Sequence, residues 1–319
     1  MNAKRVLVSG AGGFIGRWSV PVLRRLGYDV HAVLSGRGGA VAAQLAGATL
    51  HTADLFDSAA LEALFAAVRP THLLHFAGIA TPGSYWTSTD NARWLETSRR
   101  MLRAFSREGG VRAVMAGSCA EYDWSQVGVC REASSPLAVN LTPPLPYVAC
   151  KIALQAELDR FGREHDLSSA WGRIFLQYGP YEHPQRLVAS VIRSLLMGRE
   201  ALCSHGRQVR AFLHVADVGA AFAALLDSEL AGPVNIGAAE RIAVADLIGE
   251  IARQIGRPDL VRLGARPLPP GEPPLLVPDV QRLQTELGWQ PQFALHEGLA
   301  DAIAWWRGGL AAPGGGAPP

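Results

Sequence analysis

Short apolar runs rich in β-branched residues alternate with segments of helical period through the first two thirds of the chain. RVLVSG (5–10) is followed by a helical pattern near 15–26, YDVHAVL (28–34) by one near 38–46, and ATLHTADL (48–55) by one near 58–67. THLLHFAG (71–78) precedes a helical pattern near 90–108, and VRAVMAGS (111–118) closes the series. Strands separated by stretches of helix length predict βαβ units and a parallel sheet, with right-handed crossovers placing helices on both faces. The expected fold class is α/β, a doubly wound parallel sheet.

Past residue 175 the pattern loosens. RLVASVIRSLLMG (186–198) and VADLIGEIARQIG (244–256) keep a helical period, whereas RPLPPGEPPLLVP (266–278) is proline-rich and irregular. The last stretch, 309–319, offers almost nothing to bury and is expected to be a flexible tail. No internal repeat is present.

Composition narrows the function classes. A chain of 319 residues with 49% hydrophobic and 18% charged residues suits one large α/β unit or two closely joined domains. The net charge of +2 and the scattered basic residues do not make a nucleic-acid footprint. No run of 18 apolar residues suggests a membrane span, and the chain enters its first strand without room for a leader. The four cysteines form no CxxC pair and there is no histidine cluster, so no metal is expected and the thiols read as reduced in a cytoplasmic protein. Of 30 basic residues only Lys4 and Lys151 are lysines.

GAGGFIG (10–16) sits between the first strand and the first helix. Gly10, Gly13 and Gly16 permit positive φ and close backbone approach, and a helix N-terminus reached through Phe14 and Ile15 offers free N–H groups to a pyrophosphate. Taken alone, the loop is equally well a tight turn. Other strand ends add to it: Asp54 with Leu55 can hold an adenine amino group, and the small Phe76-Ala77-Gly78 segment lets a nicotinamide ribose lie against backbone. After the second strand, where NAD sites usually carry an acid, stand Leu34, Ser35, Gly36 and Arg37. Ser35 and Arg37 suit a 2′-phosphate, which favours NADP(H) over NAD(H).

YVACK (147–151) places Tyr147 and Lys151 on one helix face. With so few lysines, about 0.04 such pairs are expected by chance, and a merely solvated charge in this chain would be arginine. An ammonium beside a phenol stabilises the phenolate and brings tyrosine into range as an acid or base; it can also bond a nicotinamide ribose. Ser118, at the end of the fifth strand pattern, can hydrogen-bond the reacting oxygen.

With Asn91, YGP (178–180), RAFLHVAD (210–217), VNIG (234–237) and LGWQP, this ordered set resembles the extended short-chain dehydrogenase/reductase family, in its branch of nucleotide-sugar epimerases, dehydratases and 4-ketoreductases. The resemblance covers nearly the whole chain. It implies a Rossmann-type dinucleotide-binding domain (1–174 with 206–232) and a smaller α/β domain for a nucleotide-sugar (175–205 with 233–308), in a homodimer. It also implies hydride transfer at a sugar carbon with Tyr147 as acid/base, Lys151 lowering its pKa and Ser118 polarising the carbonyl, Asn91 near the cofactor, and Arg210 on the substrate diphosphate.

Departures from the family pattern refine the expectation. Dehydratases carry Asp and Glu directly after the catalytic Ser or Thr; here Cys119 and Ala120 stand there, so dehydration is not expected, and Cys119 reads as a small apolar filler. Leu176 replaces an asparagine that contacts the sugar nucleotide, with Gln177 able to compensate, and Pro269 replaces a phosphate-binding arginine. The expected activity is NADPH-dependent reduction of a nucleotide-linked 4-keto-6-deoxy-hexose. A 4-epimerase holding NAD is the alternative, and a dinucleotide-binding sensor without turnover is a third reading that Tyr147 and Lys151 oppose.

Overall fold

The alternating pattern of the N-terminal half becomes β1 (Arg5–Ser9), α1 (Gly16–Arg25), β2 (Asp29–Leu34), β3 (Thr49–Thr52), α2 (Ser58–Val68), β4 (His72–His75), α3 (Asp90–Arg107) and β5 (Arg112–Ser118) in a computed structural model describing residues 4–36 and 39–311. There follow β6 (Val129–Cys130), α4 (Pro146–Glu164), β7 (Ser168–Ile174), β8 (Leu176–Tyr178), α5 (Leu187–Leu196), β9 (Ala201–Leu202), β10 (Val209–Arg210) and β11 (Phe212–His214). The last elements are α6 (Val215–Leu226), β12 (Gly232–Ile236), β13 (Ile242–Ala243), α7 (Val244–Ile255), β14 (Val261–Arg262), β15 (Leu275–Pro278) and α8 (Leu295–Ala311).

Seven strands form one parallel sheet in the order β12-β7-β5-β4-β1-β2-β3. Chain order reverses between β1 and β4, which opens a crevice at their carboxyl ends, the usual ligand position in such sheets. The two-residue period of β1 feeds both cores. Val6 and Val8 meet Val20 and Leu23 of α1 and Phe222 of α6, while Leu7 faces Leu61 and Phe65 of α2 and Met101 and Phe105 of α3. Gly219 lets α6 touch α1, because a Cβ there would come within 2.6 Å of the Trp18 Cβ. Buried Arg112 holds the other end of α6 by donating to the carbonyls of Leu225 and Leu226.

A third core gathers α5, α7 and α8 around Ile192, Leu247, Ile251 and Trp306. Beside it lies a small sheet in the order β13-β10-β15-β6. The structure departs from the sequence expectation in three places. The segment near 38–46 is a 3-10 helix, Gly39–Leu45, whose large apolar residues, Val41 and Leu45, are too few for an amphipathic stripe. Residues 233–236 stay in the main sheet, since β12 pairs with β7 along its whole length. Residues 309–311 continue α8 beyond its last buried anchor, Trp306, and residues 312–319 lie outside the described residues.

Candidate active site

The glycine loop packs against the end of β4. Gly10 has φ +69°, and a Cβ on it would lie 2.8 Å from the Ala77 amide nitrogen; one on Gly16 would lie 2.2 Å from the Gly10 carbonyl. The Gly13 amide closes the turn on the Gly10 carbonyl at 2.9 Å. α1 then starts with no side-chain cap and no acidic residue in its first turn, and the amides of Phe14 and Ile15 find no acceptor among the described residues. Such a helix start leaves donors and partial positive charge for an anion. The loop therefore fits the diphosphate of a dinucleotide, with Phe76, Ala77 and Gly78 forming the neighbouring wall.

A cleft of about 750 Å³ runs from this loop across the carboxyl edge of the sheet. It brings together Gly10, Gly13, Phe14, Ile15, Gly16, Phe76, Ala77 and Gly78 with Ser118, Tyr147, Lys151, Gln177 and Arg210. Ser118 ends β5 and lines the cleft together with Tyr147, which stands in the first turn of α4. One turn on, Lys151 donates to the Ala116 carbonyl at 2.6 Å, its ammonium 5.9 Å from the centre of the Tyr147 ring. Burial pushes the Tyr147 phenol above its ordinary value, with Ser118 pulling the other way. Burial lowers the Lys151 ammonium, opposed by Glu121. Within the chain alone the phenol is thus a protonated donor, not the lowered acid expected from Lys151.

Behind Ser118 lies a buried polar network. Glu121 is fully buried and accepts from the Ser118 amide at 2.7 Å, the Trp171 indole at 2.9 Å and Arg173 Nε at 2.9 Å. Gly117 makes room for it, since a Cβ there would fall 2.2 Å from the indole nitrogen. Although burial works against its charge, Glu121 and Tyr122 hold the Arg173 guanidinium above its ordinary value. Cys119 is inert packing, its thiol pushed up to about 12 by burial beside Cys130.

The far side of the cleft is aromatic and carries charges that are mostly spoken for. Tyr85 and Trp86 pack edge-on against Tyr147, with ring centres 4.8 and 5.7 Å away, and Trp124 follows Trp86. Arg210 is buried, donating to the carbonyls of Val209 and Pro273 and pairing with Glu272. A substrate phosphate would have to share this guanidinium with Glu272.

Glu182, also in the cleft wall, accepts from the Ala189 amide and is pushed up to about 8 by burial, with Arg186 opposing. A carboxyl neutral in the folded chain but ionised in the unfolded one above its ordinary value of 4.5 lowers stability progressively as pH rises from there to about 8. Glu182→Gln should flatten that loss, which for one group is on the order of 1 kcal/mol per pH unit at its steepest. Urea unfolding of both proteins across this interval measures it, and parallel curves would count against the assignment.

Several expected residues are not brought into the cleft. Ser35 and Asp54 are exposed at the carboxyl ends of β2 and β3, where Asp54 accepts from the Phe56 amide at 2.9 Å, and Leu55 is buried beside them. Arg37 lies outside the described residues. Asn91 donates to the carbonyls of Tyr85 and Ser88, bracing the aromatic loop, and lines a small adjoining pocket with Ala77, Gly78, Tyr147 and Lys151. Conversely, Arg17, Tyr85, Trp86, Tyr181, Glu182 and Glu272 line the cleft without having been singled out as site residues. Arg17 directly follows the glycine motif and Tyr181 directly follows YGP, so adjacency was the available signal. No cluster of three or more potential metal ligands occurs among the described residues, and no helix among them is long and apolar enough to cross a membrane.

Residues 6–237 match the family model described as NAD dependent epimerase/dehydratase family. The chain is 27% identical over 323 residues to dTDP-4-dehydro-6-deoxy-D-allose reductase of a Streptomyces species, covering 95% of this chain and 96% of that one. It is 28% identical over 305 residues to 3-diazoavenalumate denitrifying reductase, also from a Streptomyces species, with 90% and 96% covered. Among solved structures, UDP-glucose 4-epimerase of Thermus thermophilus in complex with NAD superposes with a TM-score of 0.80 at 27% identity, over 95% of this chain and 99% of that one.

Proposed function

The chain belongs to the NAD dependent epimerase/dehydratase family, and from that premise we propose that it is an NADPH-dependent reductase of the 4-keto group of a nucleotide-linked 4-keto-6-deoxy-hexose. That it is an NAD(P)-dependent oxidoreductase or epimerase follows from the family and its relatives. The finer reading rests on one observation. The reacting end of the cleft offers a single proton-handling pair, Ser118 and Tyr147, with Cys119 and Ala120 where an elimination would need a second acid and base. The two carboxyls of the cleft wall, Glu182 and Glu272, are engaged by the Ala189 amide and by Arg210.

The dinucleotide, held by the glycine loop and the Phe76–Gly78 wall, supplies a hydride to the carbonyl carbon when bound. Ser118 donates a hydrogen bond to the carbonyl oxygen and keeps it facing Tyr147. The Tyr147 phenol passes its proton to that oxygen as the C–H bond forms, so the ketone becomes an alcohol. Lys151 stabilises the resulting phenolate until solvent reprotonates it. Tyr85 and Trp86 screen the reacting oxygen from bulk water.

NADPH is preferred on the chemistry at the end of β2, where Leu34 and Ser35 present no carboxylate to repel a 2′-phosphate. A 4-epimerase is the second reading, favoured by the solved UDP-glucose 4-epimerase at 27% identity, and it needs the same three side chains. The cofactor carried through purification separates the two. The reductase should emerge without tightly held dinucleotide and consume NADPH when a nucleotide-linked keto-sugar is added. Firmly retained NAD⁺, with interconversion of two nucleotide-sugars and no net NADPH use, would establish the epimerase instead.

A further inference from the structure

Four arginines and lysines line the cleft, Arg17, Lys151, Arg186 and Arg210. Arg17 donates to the carbonyls of Gly12 and Gly13, Lys151 to that of Ala116, and Arg210 to Glu272 and the Pro273 carbonyl. The side chain of Arg186 makes no hydrogen bond or ion pair among the described residues. Glu182 does not neutralise it, since burial pushes that carboxyl up to about 8 despite the pull of the guanidinium. Helix stability does not account for a cation there either. Arg186 immediately precedes the first turn of α5, where the dipole favours negative charge. Burial pushes the Tyr85 phenol up to about 12 with Arg186 pulling the other way, so the charge is felt at the reacting end of the cleft.

That end is flat and apolar. Tyr85 and Trp86 are half-buried, with ring centres 4.6 Å apart and planes 30° from parallel, and they make one continuous face beside Tyr147. Trp124 extends it edge-on, its indole N–H already donated to the Cys119 carbonyl at 2.9 Å. Phe175, Leu176 and Leu276 line the cleft as well. A hexose would set the hydroxyls of its rim against these surfaces, and a hydroxyl taken from water without a partner is unfavourable. A planar aromatic ring has no such rim, and it gains from offset or edge-on contact with other rings beyond the area it buries.

We propose that the cleft also accepts and reduces a planar aromatic ketone that bears a carboxylate and no nucleotide, its ring lying along Tyr85 and Trp86 and its carboxylate on Arg186. The proposal rests on the reading of the cleft as an NADPH-dependent reductase site and goes beyond it in substrate class. The carbonyl carbon receives the hydride of NADPH and the carbonyl oxygen the proton of Tyr147. Ketone, NADPH and one proton thus become alcohol and NADP⁺, with solvent restoring the phenol. A guanidinium grips a carboxylate through two parallel N–H bonds. Ring and carboxylate together replace the diphosphate handle, which Arg210 could hold only by sharing itself with Glu272.

The probe is 4-acetylbenzoate, compared with acetophenone, which lacks the carboxylate, and with 4-acetylcyclohexanecarboxylate, which lacks the aromatic ring. Binding to the chain saturated with NADP⁺ is read by calorimetry, and reduction by NADPH consumption beside a nucleotide-linked 4-keto-6-deoxy-hexose. The probe should bind and be reduced about tenfold better than either control. Arg186→Gln should erase its advantage over acetophenone. Trp86→Leu, which keeps the wall apolar, should erase its advantage over the saturated acid. Each ratio is taken within one protein and stays readable if a variant is less stable. A probe that neither binds nor reacts, or ratios that survive both substitutions, overturns the proposal; reduction of the keto-sugar in the same assay would then show that the reductase reading stands without it. A chain that binds neither NADPH nor NADP⁺ loses that reading first and the proposal with it.

Discussion

Tyr147→Phe should lower turnover by about two to four orders of magnitude, the usual share of a positioned proton donor, while NADPH binding stays within a few fold of wild type. The phenol is the group that hands a proton to the carbonyl oxygen, and the ring it leaves behind still packs on Tyr85 and Trp86. Lys151→Arg should cost at least tenfold, about 1.4 kcal/mol of barrier. The ammonium sits in a buried niche with its nitrogen 2.6 Å from the Ala116 carbonyl, and a wider planar fork cannot occupy that point without moving α4 or the cofactor. The double variant should be little worse than Tyr147→Phe alone, since both changes act on one proton transfer. Initial rates over a pH series check all three. A Lys151→Arg enzyme with wild-type rates and an unshifted profile would remove the role given to the lysine.

The largest effect on stability should come from Arg173→Met, at about 3 to 5 kcal/mol. Arg173 is 2% exposed and Glu121 0%, so the variant strands a carboxylate that also holds the Ser118 amide and the Trp171 indole. Adding Glu121→Gln should restore part of the loss, because the pair can be removed together at less cost than either half. A double-mutant cycle by urea unfolding reads the coupling directly. Single variants that merely add would show that the two groups, 2.9 Å apart, do not depend on one another. The same cycle followed by turnover tells whether Ser118 loses its place when Glu121 is disturbed.

The parts of the molecule legible in the sequence were those set by local pattern. RVLVS reads as a buried strand because every residue after Arg5 is buried in β1, and GAGGFIG reads as a loop because no side chain fits at Gly10 or Gly16. Tyr147 and Lys151 stood out through spacing and the scarcity of lysine. Long-range partners were hidden. Glu121 finds Arg173 52 residues away, and Arg210 finds Glu272 62 residues away, pairings that no periodicity announces. The bonds by which Asn91, a short amide near the start of α3, holds the preceding loop carbonyls were equally hidden, since such local side-chain to backbone contacts leave no periodic trace. The phenol of Tyr147 was expected to be lowered by its neighbour, yet burial, which only the folded chain reveals, acts in the opposite direction.

The small sheet β13-β10-β15-β6 has a consequence for recombination. Its edge strand β6 leaves the main sheet's chain just after Ser118, yet it is paired with β15, as Val129 beside Val277 and Cys130 beside Pro278, and β15 in turn flanks the strand that carries Arg210. β12, meanwhile, returns to the main sheet from beyond that lobe. The two halves are laced through each other instead of being joined end to end. A chimera that exchanged the C-terminal half for that of a relative at a single crossover near residue 175 would inherit a foreign mate for Val129 and Cys130 and a foreign outer strand beside β7. Swapping specificity between members of this family by cassette therefore means carrying both seams along with the insert.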